Sequence, residues 1–406
     1  MSNVVIEASK EIPVVESADV LVVGAGIAGV AAALAAARCG AKTILLEREY
    51  ALGGMATLGL ITIYLPLCDG MGHQVVYGIG EELLKLSIST GAEASYPDAW
   101  LDGNDIDKRK VQRYMVRYNP NIFALLTEKL LVEAGVHILY GTHACGIDLV
   151  GDRINSVIIE NKSGRSAIHV RTVVDCSGDA DICQHAGVET YVNPKGNGLA
   201  DWYYYFRDGK VDLNMFGLAD VVPKEKNSIR SANAKTEAIG AMRFSGVDGF
   251  ELSAAVIEAH KLLLSDVLAK KSNDADFVPV SMSSIPLVRM SRRICGQYTI
   301  DENDANCRMD DSIGMTGDWT KRGPIYEVPY HSLVSDKISN LIAAGRIIST
   351  SDSVWNVTRV IPPCAVTGQA AGTAAAIFDD LRSPDIVLLQ KKLIEQNVKL
   401  HIDEVM

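Results

Sequence analysis

The segment from Asp19 to Glu47, DVLVVGAGIAGVAAALAAARCGAKTILLE, decides the fold. It opens with an apolar, β-branched run that is typical of a buried parallel strand. After three glycines comes an alanine-rich stretch that predicts a helix ending at Gly40. A second apolar strand is predicted from Thr43 to Leu46, and the acidic residue Glu47 follows it directly. The order strand, glycine turn, helix, strand and acid predicts a βαβ unit of the kind that binds nucleotides.

The three glycines stand in the spacing GxGxxG, and each has a physical role. Gly24 allows a tight turn, Gly26 lets the backbone approach a pyrophosphate, and Gly29 lets the helix pack closely on the strand. The helix N-terminus offers free N–H groups and the positive end of its dipole to phosphates. Glu47 is placed to accept hydrogen bonds from an adenosine ribose, and an acid there disfavours a 2′-phosphate. The alternative is a βαβ unit that binds no nucleotide.

A second glycine pair, Gly53 and Gly54, follows the acid in the sequence GGMAT. Residues without a side chain let the backbone come close to a bulky ligand. An ordinary glycine loop is the alternative interpretation. The fingerprint by itself does not separate NAD from FAD.

Composition narrows the class of protein. The 406 residues are 48% hydrophobic, enough for a large core, and 39 Lys and Arg against 50 Asp and Glu give a net charge of −11. Nucleic acid requires a basic face, so the acidic balance argues against such a partner. The N-terminus has no basic segment followed by a long apolar core, and the longest apolar run is too short to span a bilayer. None of the eight cysteines forms a CxxC pair. We therefore expect reduced thiols, a cytoplasmic location and no membrane partner.

The remaining segments return to the same fold. A helix over 121–134 precedes a third parallel strand over 136–140, and residues 146–173 alternate as antiparallel strands do. Two later segments repeat the pattern of a strand ending in a glycine turn, at Gly178 and Gly345. We predict an α/β protein with a discontinuous Rossmann-like nucleotide domain over 1–190 and 335–406. An inserted α+β substrate or cap domain over 191–334 contains the run WYYYF, a polar stretch at 223–237 and an amphipathic helix over 251–271.

The order of these segments resembles the glutathione-reductase-type flavoprotein superfamily. More narrowly, it resembles the FAD-dependent oxidoreductase family related to the fumarate reductase flavoproteins. The motifs that carry the resemblance span nearly the whole chain: ADVLVVGAGIAGVAAALAAARCGAKTILLERE, GGMAT, VVDCSGDAD, VRMSRRICGQYTI, NLIAAGR and PPCAVTGQAAGTAAA. The resemblance implies a nucleotide domain of the glutathione-reductase type, with FAD as its cofactor.

The same resemblance implies which residues bind FAD. They are Gly24, Gly26, Ile27, Ala28 and Gly29 at the pyrophosphate, Glu47 at the ribose, Arg48 at the adenine end, Gly53, Gly54, Met55 and Ala56 near the flavin and pyrophosphate, Ser177 and Gly178 at the adenosine, and Gly345 and Arg346 at the ribityl–pyrophosphate stretch. A helix beginning near Gly368 and Gln369 would aim its N-terminus at the flavin pyrimidine edge. Flavin reduction puts negative charge on that edge, which the positive end of a helix dipole stabilises.

Adjacent arginines are the first catalytic candidates. Arg289, Arg292 and Arg293 lie in VRMSRRICGQY, and we expect Arg289 or Arg292 to hold an anion or carbonyl of the substrate. Salt bridges with nearby acids such as Asp301 and Glu302 are the alternative. By resemblance, this segment borders the flavin and the substrate.

Two histidines and a cysteine complete the candidates. His331 stands where the family is expected to carry an arginine, so it could act as a general base or simply pack as a neutral side chain. His73 lies in the glycine-flanked loop DGMGH and could face the flavin or the solvent. Cys364 would have its pKa lowered by a helix N-terminus, with packing as the default role. The other histidines form no i,i+4 pair, so no metal site is predicted.

These observations predict an FAD-dependent oxidoreductase that transfers a hydride between a small polar metabolite and flavin N5. No second dinucleotide fingerprint and no cysteine relay are present, so the electron acceptor is left unidentified. The alternatives are a flavoprotein with non-redox FAD, such as a hydratase or isomerase, and a tRNA-modifying flavoprotein, which the net charge of −11 disfavours. Homo-oligomerisation is left open.

Overall fold

The computed structural model describes residues 4, 5, 9, 11–94, 96–218 and 238–406. The strands run in chain order as β1 (Val14–Val23), β2 (Thr43–Leu46), β3 (Ile63–Tyr64), β4 (Val116–Arg117), β5 (His137–Leu139), β6 (His143–Val150), β7 (Arg153–Asn161), β8 (Gly164–Asp175), β9 (Thr190–Val192), β10 (Asn197–Gly198), β11 (Asp201–Arg207), β12 (Lys210–Phe216), β13 (Arg243–Phe244), β14 (Val278–Met282), β15 (Arg292–Ile294), β16 (Ser312–Gly317), β17 (Ile325–Pro329) and β18 (Leu341–Ala343).

The α-helices of the described residues are α1 (Ile27–Arg38), α2 (Ile79–Ser87), α3 (Asp98–Leu101), α4 (Ile106–Val111), α5 (Pro120–Glu133), α6 (Asp181–His185), α7 (Gly249–Asn273), α8 (Asp352–Thr358), α9 (Ile361–Ile377) and α10 (Ile386–Glu395). Short 3₁₀ turns cover Gly54–Ala56, Glu302–Asp304, Tyr330–Ser332 and Ile402–Glu404. No single helix of the described residues is long and apolar enough to cross a membrane, although α8 and α9, bent by 85°, reach that length and hydropathy together.

A seven-stranded sheet organises the molecule, in the order β5-β2-β1-β8-β7-β6 with β18 beside β8. Strands β5, β2, β1, β8 and β18 are parallel, whereas β7 and β6 join the first half of β8 as an antiparallel meander. Strands β2 and β18 and the last four residues of β1 and of β8 are buried and mostly apolar, as the sequence predicts for strands covered on both faces, whereas the edge strand β5 is exposed or half-buried. The α/β class, the parallel sheet and its third strand near 136–140 are confirmed.

Helices α1 and α9 cover one face of the sheet and touch each other through glycine. A Cβ on Gly368 would lie 2.2 Å from the carbonyl oxygen of Ala28, and one on Gly372 would lie 2.0 Å from that of Ala32. The two backbones are therefore in direct contact. Helix α9 begins at Ile361 with prolines in its first turn, as predicted for its start, so it does not begin near Gly368.

The hydrophobic cores divide differently from the predicted domains. The main cluster joins α1, α9 and one sheet face, and it also contains Ile300, Ile313, Tyr326 and Tyr330 of the predicted insertion. The described residues from 199 to 288 supply the smaller clusters around Trp202, Phe244 and Phe277, with contributions from Leu60 and its neighbours to the first of these. The division into 1–190 with 335–406 and 191–334 stays a prediction. We call the described residues from 199 to 288, which supply most of these smaller clusters, the insertion. The predicted helix over 251–271 corresponds to α7, and the polar stretch at 223–237 lies outside the described residues.

Candidate functional site

A cavity opens where the carboxyl ends of β1, β2, β8 and β18 meet the N-termini of α1 and α9. It contains about 1440 Å³ of empty space, part of which is open to solvent. Ligands of α/β sheets bind at this edge, where strand ends and helix N-termini converge. Most of the predicted cofactor residues line the cavity: Gly24, Gly26, Ile27, Ala28, Glu47, Arg48, Gly53, Gly54, Met55, Ala56, Ser177, Gly178, Gly345 and Arg346.

The two glycine loops form one continuous floor. The backbone N–H of Gly53 donates to the carbonyl oxygen of Ala25 at 2.8 Å, and Gly53 pairs with Gly26 as a parallel bridge. Gly53 has a φ of +97°, a conformation that favours glycine. A Cβ on Gly26 would meet no heavy atom of the described residues within 4 Å, so it would project into the cavity. Gly29 differs, because its Cβ would lie 1.8 Å from the Gly24 carbonyl oxygen. Gly29 therefore serves packing and does not line the cavity.

Glu47 joins the end of β2 to the first glycine loop. Its Oε2 accepts the Ala25 N–H at 2.9 Å, and its Oε1 accepts the Glu49 N–H at 2.9 Å. Burial raises the pKa of Glu47, and the two backbone hydrogen bonds oppose that rise. Because each oxygen retains a further lone pair at the cavity wall, the carboxylate can also accept from a ligand hydroxyl.

An acidic turn follows β8. Asp175 accepts hydrogen bonds from the Ser177 N–H and hydroxyl and from the Cys183 N–H, which fixes the turn. Asp179 and Asp181 line the cavity. Burial, reinforced by the charges of Asp179 and Asp175, raises the pKa of Asp181 to about 6. The electrostatics at this end of the cavity therefore change within the physiological pH range.

Arg346 connects the acidic turn to the insertion. Its Nε donates to the Gly178 carbonyl oxygen at 2.5 Å, Nη1 to the Val288 carbonyl oxygen at 2.9 Å, and Nη2 to Asp179 at 2.9 Å. The guanidinium is mostly buried. Its protein partners show a structural role in joining two regions of the cavity wall.

The start of α9 reaches the cavity through Arg359, Ile361 and Cys364. Gly368 and Gln369 do not line it, which corrects their predicted position at a flavin-facing helix N-terminus. Gly368 packs against α1, and Gln369 accepts the Ile79 N–H at 2.8 Å. Burial raises the pKa of the Cys364 thiol to about 12, despite the opposing charges of Arg346 and Arg359. Burial thus opposes the lowering of the pKa that the helix dipole predicts, which favours the packing role of Cys364.

The predicted catalytic arginines lie beside the cavity and do not line it. Arg289 places its guanidinium carbon 5.6 Å from the centre of the Trp202 ring. Arg292 is close enough to Asp181 that its charge opposes the rise in that pKa. Arg293 lies between the rings of Tyr191 and Trp355, 4.1 and 4.5 Å from their centres, and is 3.1 Å from Asp352. Its acidic partner is thus Asp352, not Asp301 or Glu302.

Both predicted catalytic histidines are paired with acids away from the cavity lining. His331 Nδ1 lies 2.5 Å from Asp311 Oδ2, and His73 Nδ1 lies 2.8 Å from Asp69 Oδ2. Asp69 also accepts the N–H groups of Met71 and His73, so it organises its loop. A catalytic role for either histidine stays a prediction that these positions do not support.

Sequence reasoning missed part of the cavity wall. The overlooked residues are Thr142, His143 and Ala144 at the start of β6, Gly246, Leu252, Ile285, Pro286 and Val288 in the insertion, Arg359 before α9, and the acids Asp179 and Asp181. Arg359 carried a usable signal, since it stands three residues before the proline pair that marks a helix start. The insertion residues carried none, because only tertiary packing brings them to the sheet edge.

Comparison with known proteins places the chain by its sequence. The family model described as FAD dependent oxidoreductase matches residues 19–245 and 208–387, which is most of the chain. A thioredoxin reductase of Ureaplasma parvum serovar 3 is 34% identical over 77 residues, covering 19% of this chain and 25% of that protein. The chain therefore matches about a quarter of the length of this curated relative.

Comparison with solved structures finds proteins that are distant in sequence and have TM-scores below 0.5. The aromatic hydroxylase CabE of angucycline biosynthesis is 14% identical with a TM-score of 0.46, over 94% of this chain and 66% of that one. A geranylgeranyl bacteriochlorophyll reductase-like protein of Thermoplasma acidophilum is 14% identical with a TM-score of 0.44, over 94% and 84%. The p-nitrophenol 4-monooxygenase PnpA of Pseudomonas putida DLL-E4 is 12% identical with a TM-score of 0.45, over 94% and 84%. With TM-scores below 0.5, these similarities support no conclusion about function.

Proposed function

Because the chain belongs to the FAD-dependent oxidoreductase family, with FAD as its cofactor, we propose that it transfers a hydride between a small polar metabolite and N5 of the flavin. FAD supplies the hydride-accepting or hydride-donating ring when bound. The protein supplies binding, orientation and the electrostatic environment. The family establishes the oxidoreductase class, and hydride transfer to or from flavin N5 is the step that we add to it.

The cavity fits FAD on its own geometry. Gly26 faces open space where a side chain would intrude, and the N-terminus of α1, whose first turn contains no acid, points at that space. A pyrophosphate needs this combination of close backbone and positive dipole. Glu47, directly after β2, can accept hydrogen bonds from the ribose hydroxyls. The start of α9, whose first turn also contains no acid, lines the cavity through Ile361 and Cys364.

Different residues along the cavity would bind different parts of FAD. The amides of Ile27 and Ala28 would bind pyrophosphate oxygens, and Glu47 would hold the ribose. The Ile361 N–H and the positive end of the α9 dipole, with Arg359 beside them, would stabilise negative charge on the flavin pyrimidine edge, since Pro362 and Pro363 carry no N–H. Ile285 and Val288 of the insertion cover this same cavity, so they would exclude water from the reacting face.

The observation that carries the proposal is the open space at Gly26, and Gly26→Ala tests it. We expect Gly26→Ala to fold normally, since its φ of −64° suits alanine, and to purify without FAD. Gly249→Ala is the matched control, because a Cβ there also meets no heavy atom of the described residues but lies at the start of α7. Absorbance of the flavin per protein measures the difference. Full FAD content in Gly26→Ala contradicts the assigned binding mode.

An anaerobic screen tests hydride transfer. Small metabolites are mixed with the oxidised protein, and we expect at least one to bleach the flavin spectrum. Transfer of deuterium from a substrate labelled at the oxidised carbon would produce a kinetic isotope effect on bleaching. Flavin that stays oxidised with every compound, while product forms, would instead indicate the non-redox alternative.

Finer assignments belong to the same proposal. The parallel sheet with its β6-β7-β8 meander, together with the order of motifs along this chain, supports a fold of the glutathione-reductase type related to fumarate reductase flavoproteins. The net charge of −11 supports a small-molecule substrate and no nucleic-acid partner. We further propose a cytoplasmic location, no membrane partner and an electron acceptor of unassigned chemistry, with self-association to be determined by sedimentation.

A further inference from the structure

A second cavity lies inside the insertion, next to the FAD cavity. It contains about 840 Å³ of empty space, part of it open to solvent, and shares Ile285 and Pro286 with the first cavity. Its wall is mainly aliphatic and aromatic, supplied by β11, β13, α7 and the segment after β14. Asp201 and His260 are its ionisable residues among those described. An apolar enclosure with few polar groups is the usual form of a small-molecule site.

Asp201 has one carboxylate oxygen in use and one without a hydrogen-bond partner. Its Oδ1 accepts the Ser283 hydroxyl, whereas Oδ2 has no hydrogen-bond donor among the described residues. The residue is 3% exposed. Burial raises the pKa of Asp201, which is the expected response of a carboxyl group in an apolar wall. A buried acceptor is costly when no donor reaches it, and none of the described residues supplies a donor to this oxygen, which a ligand in the cavity could do.

His260 limits which ligand groups can form a hydrogen bond with Asp201 Oδ2. Its Nε2 lies 3.9 Å from Asp201 Oδ2, which is too far for a hydrogen bond but leaves room for one bridging atom. A hydroxyl can donate to Asp201 and accept from His260, and an amine can donate to both. The imidazole is 46% exposed, so it stands at the mouth of the cavity.

We propose that this insertion cavity binds an apolar molecule that carries one hydrogen-bond donor, an alcohol or an amine, with the donor held by Asp201. The inference rests on the proposed function for the ligand's status as substrate, and it changes the expected substrate from a generally polar metabolite to a mostly apolar molecule with a single polar group. The shared residues Ile285 and Pro286 put the site next to the cavity assigned to FAD. The binding site itself stands on the geometry of Asp201 and His260.

The test measures binding without using flavin colour. Benzyl alcohol, benzylamine and toluene share a ring, and toluene lacks the donor. Ligand-observed NMR on the FAD-loaded protein should give tighter binding of benzyl alcohol or benzylamine than of toluene, and comparison of the two identifies the donor. In Asp201→Asn we expect the preferred ligand to bind at least about tenfold more weakly, since the hydrogen bond to a buried carboxylate is lost. Toluene binding should be unchanged.

Two further variants keep the test interpretable. Asp266→Asn is the matched control, because Asp266 lies on the same helix as His260 but serves Lys270 and Tyr203 at a different cavity. Ala259→Leu fills the proposed site and should weaken all three ligands. FAD content shows that each variant is folded. Equal binding of toluene and the two donors, wild-type binding by Asp201→Asn, or no binding of either donor overturns the proposal.

Failure of the site and failure of the proposed function give different results. If benzyl alcohol or benzylamine binds through Asp201 but no compound bleaches the flavin, hydride transfer fails and the binding site stands. If a compound bleaches the flavin equally in wild type and Asp201→Asn, and neither donor binds through Asp201, hydride transfer stands and the site fails.

Discussion

The sheet region and the insertion are stabilised by opposite means. In α9, 14 of the 17 residues are buried, and its glycines touch the backbone of α1. In α7, four of the 25 residues are buried, and every residue of β14 is exposed. The sheet region has a large core on each face of the sheet, whereas the insertion is held by small separate clusters.

This difference in packing predicts that the two regions tolerate substitutions to different degrees. Backbone contact between α1 and α9 leaves no room for an added atom, so the cofactor cavity sits on a rigid support. The small clusters of the insertion can be altered one at a time, which suits a region that determines substrate choice. If packing determines how much stability a substitution costs, matched substitutions should lower the free energy of unfolding much more in the sheet region than in the insertion.

The largest effect should come from Gly372→Ala. Its Cβ would lie 2.0 Å from the Ala32 carbonyl oxygen, so α1 and α9 must separate. We expect a loss of about 4 kcal/mol in the free energy of unfolding, or no folded protein. Urea denaturation measures it, with Gly249→Ala in the insertion as the control, where we expect less than about 1 kcal/mol. Similar losses of unfolding free energy in both variants would contradict the conclusion that the sheet region tolerates less change than the insertion.

Arg346→Met should separate the two regions from each other. It removes the hydrogen bonds to Gly178 and Val288 and leaves the mostly buried Asp179 without its cationic partner, with the Ser291 hydroxyl still donating to it. We expect a loss of about 3 kcal/mol. Arg308→Met breaks an exposed pair with Asp403 and should cost less than about 1 kcal/mol. Equal melting temperatures for the two variants would show that Arg346 does not join the regions.

Asp181 should give the sheet region a dependence on pH. Its folded pKa of about 6 lies above the unfolded value, so the folded state binds the proton more tightly and loses stability as pH rises through about 6. In FAD-stripped protein, Asp181→Asn should remove this dependence and stabilise by on the order of 1–2 kcal/mol at neutral pH. Melting temperature against pH is the measurement, with the exposed Asp276→Asn of the insertion as control. A profile unchanged by Asp181→Asn would refute the assignment.

The smallest effects should follow substitution of the two histidines. His331→Ala and His73→Ala remove side chains that pair with acids outside the cavity lining. A general acid or base contributes about 10²–10⁴-fold, whereas we expect flavin reduction to change by less than about twofold. Stopped-flow reduction with a substrate found in the anaerobic screen decides between these values. A hundredfold loss with intact FAD content would restore the catalytic interpretation.

The sequence predicted what local rules determine. The βαβ unit, the two glycine loops and Glu47 follow from strand, turn and helix patterns within one short segment, and they all reach the cavity. The pairing of Asp311 with His331 could not be predicted, because it depends on the register in which the consecutive strands β16 and β17 pair. Asp69 and His73, four residues apart in one loop, could have been predicted to pair.

The error at Gly368 has an instructive physical cause. Its position in TGQAAG suggested a ligand-facing turn, yet Gly368 and Gly372 are four residues apart and therefore lie on one helical face. That spacing indicates close helix packing as readily as ligand contact. The proline pair at 362–363 was the better guide to where α9 begins.

The contact between α1 and α9 also bears on how the protein is made. These helices are separated by hundreds of residues in the chain, yet each completes the other's packing surface. We expect α1 to complete its packing only after α9 has left the ribosome, whereas the clusters around Phe244 and Phe277, whose residues lie between 199 and 288, can form earlier. Cofactor loading is then expected late in folding, after the C-terminal segment has joined the sheet region.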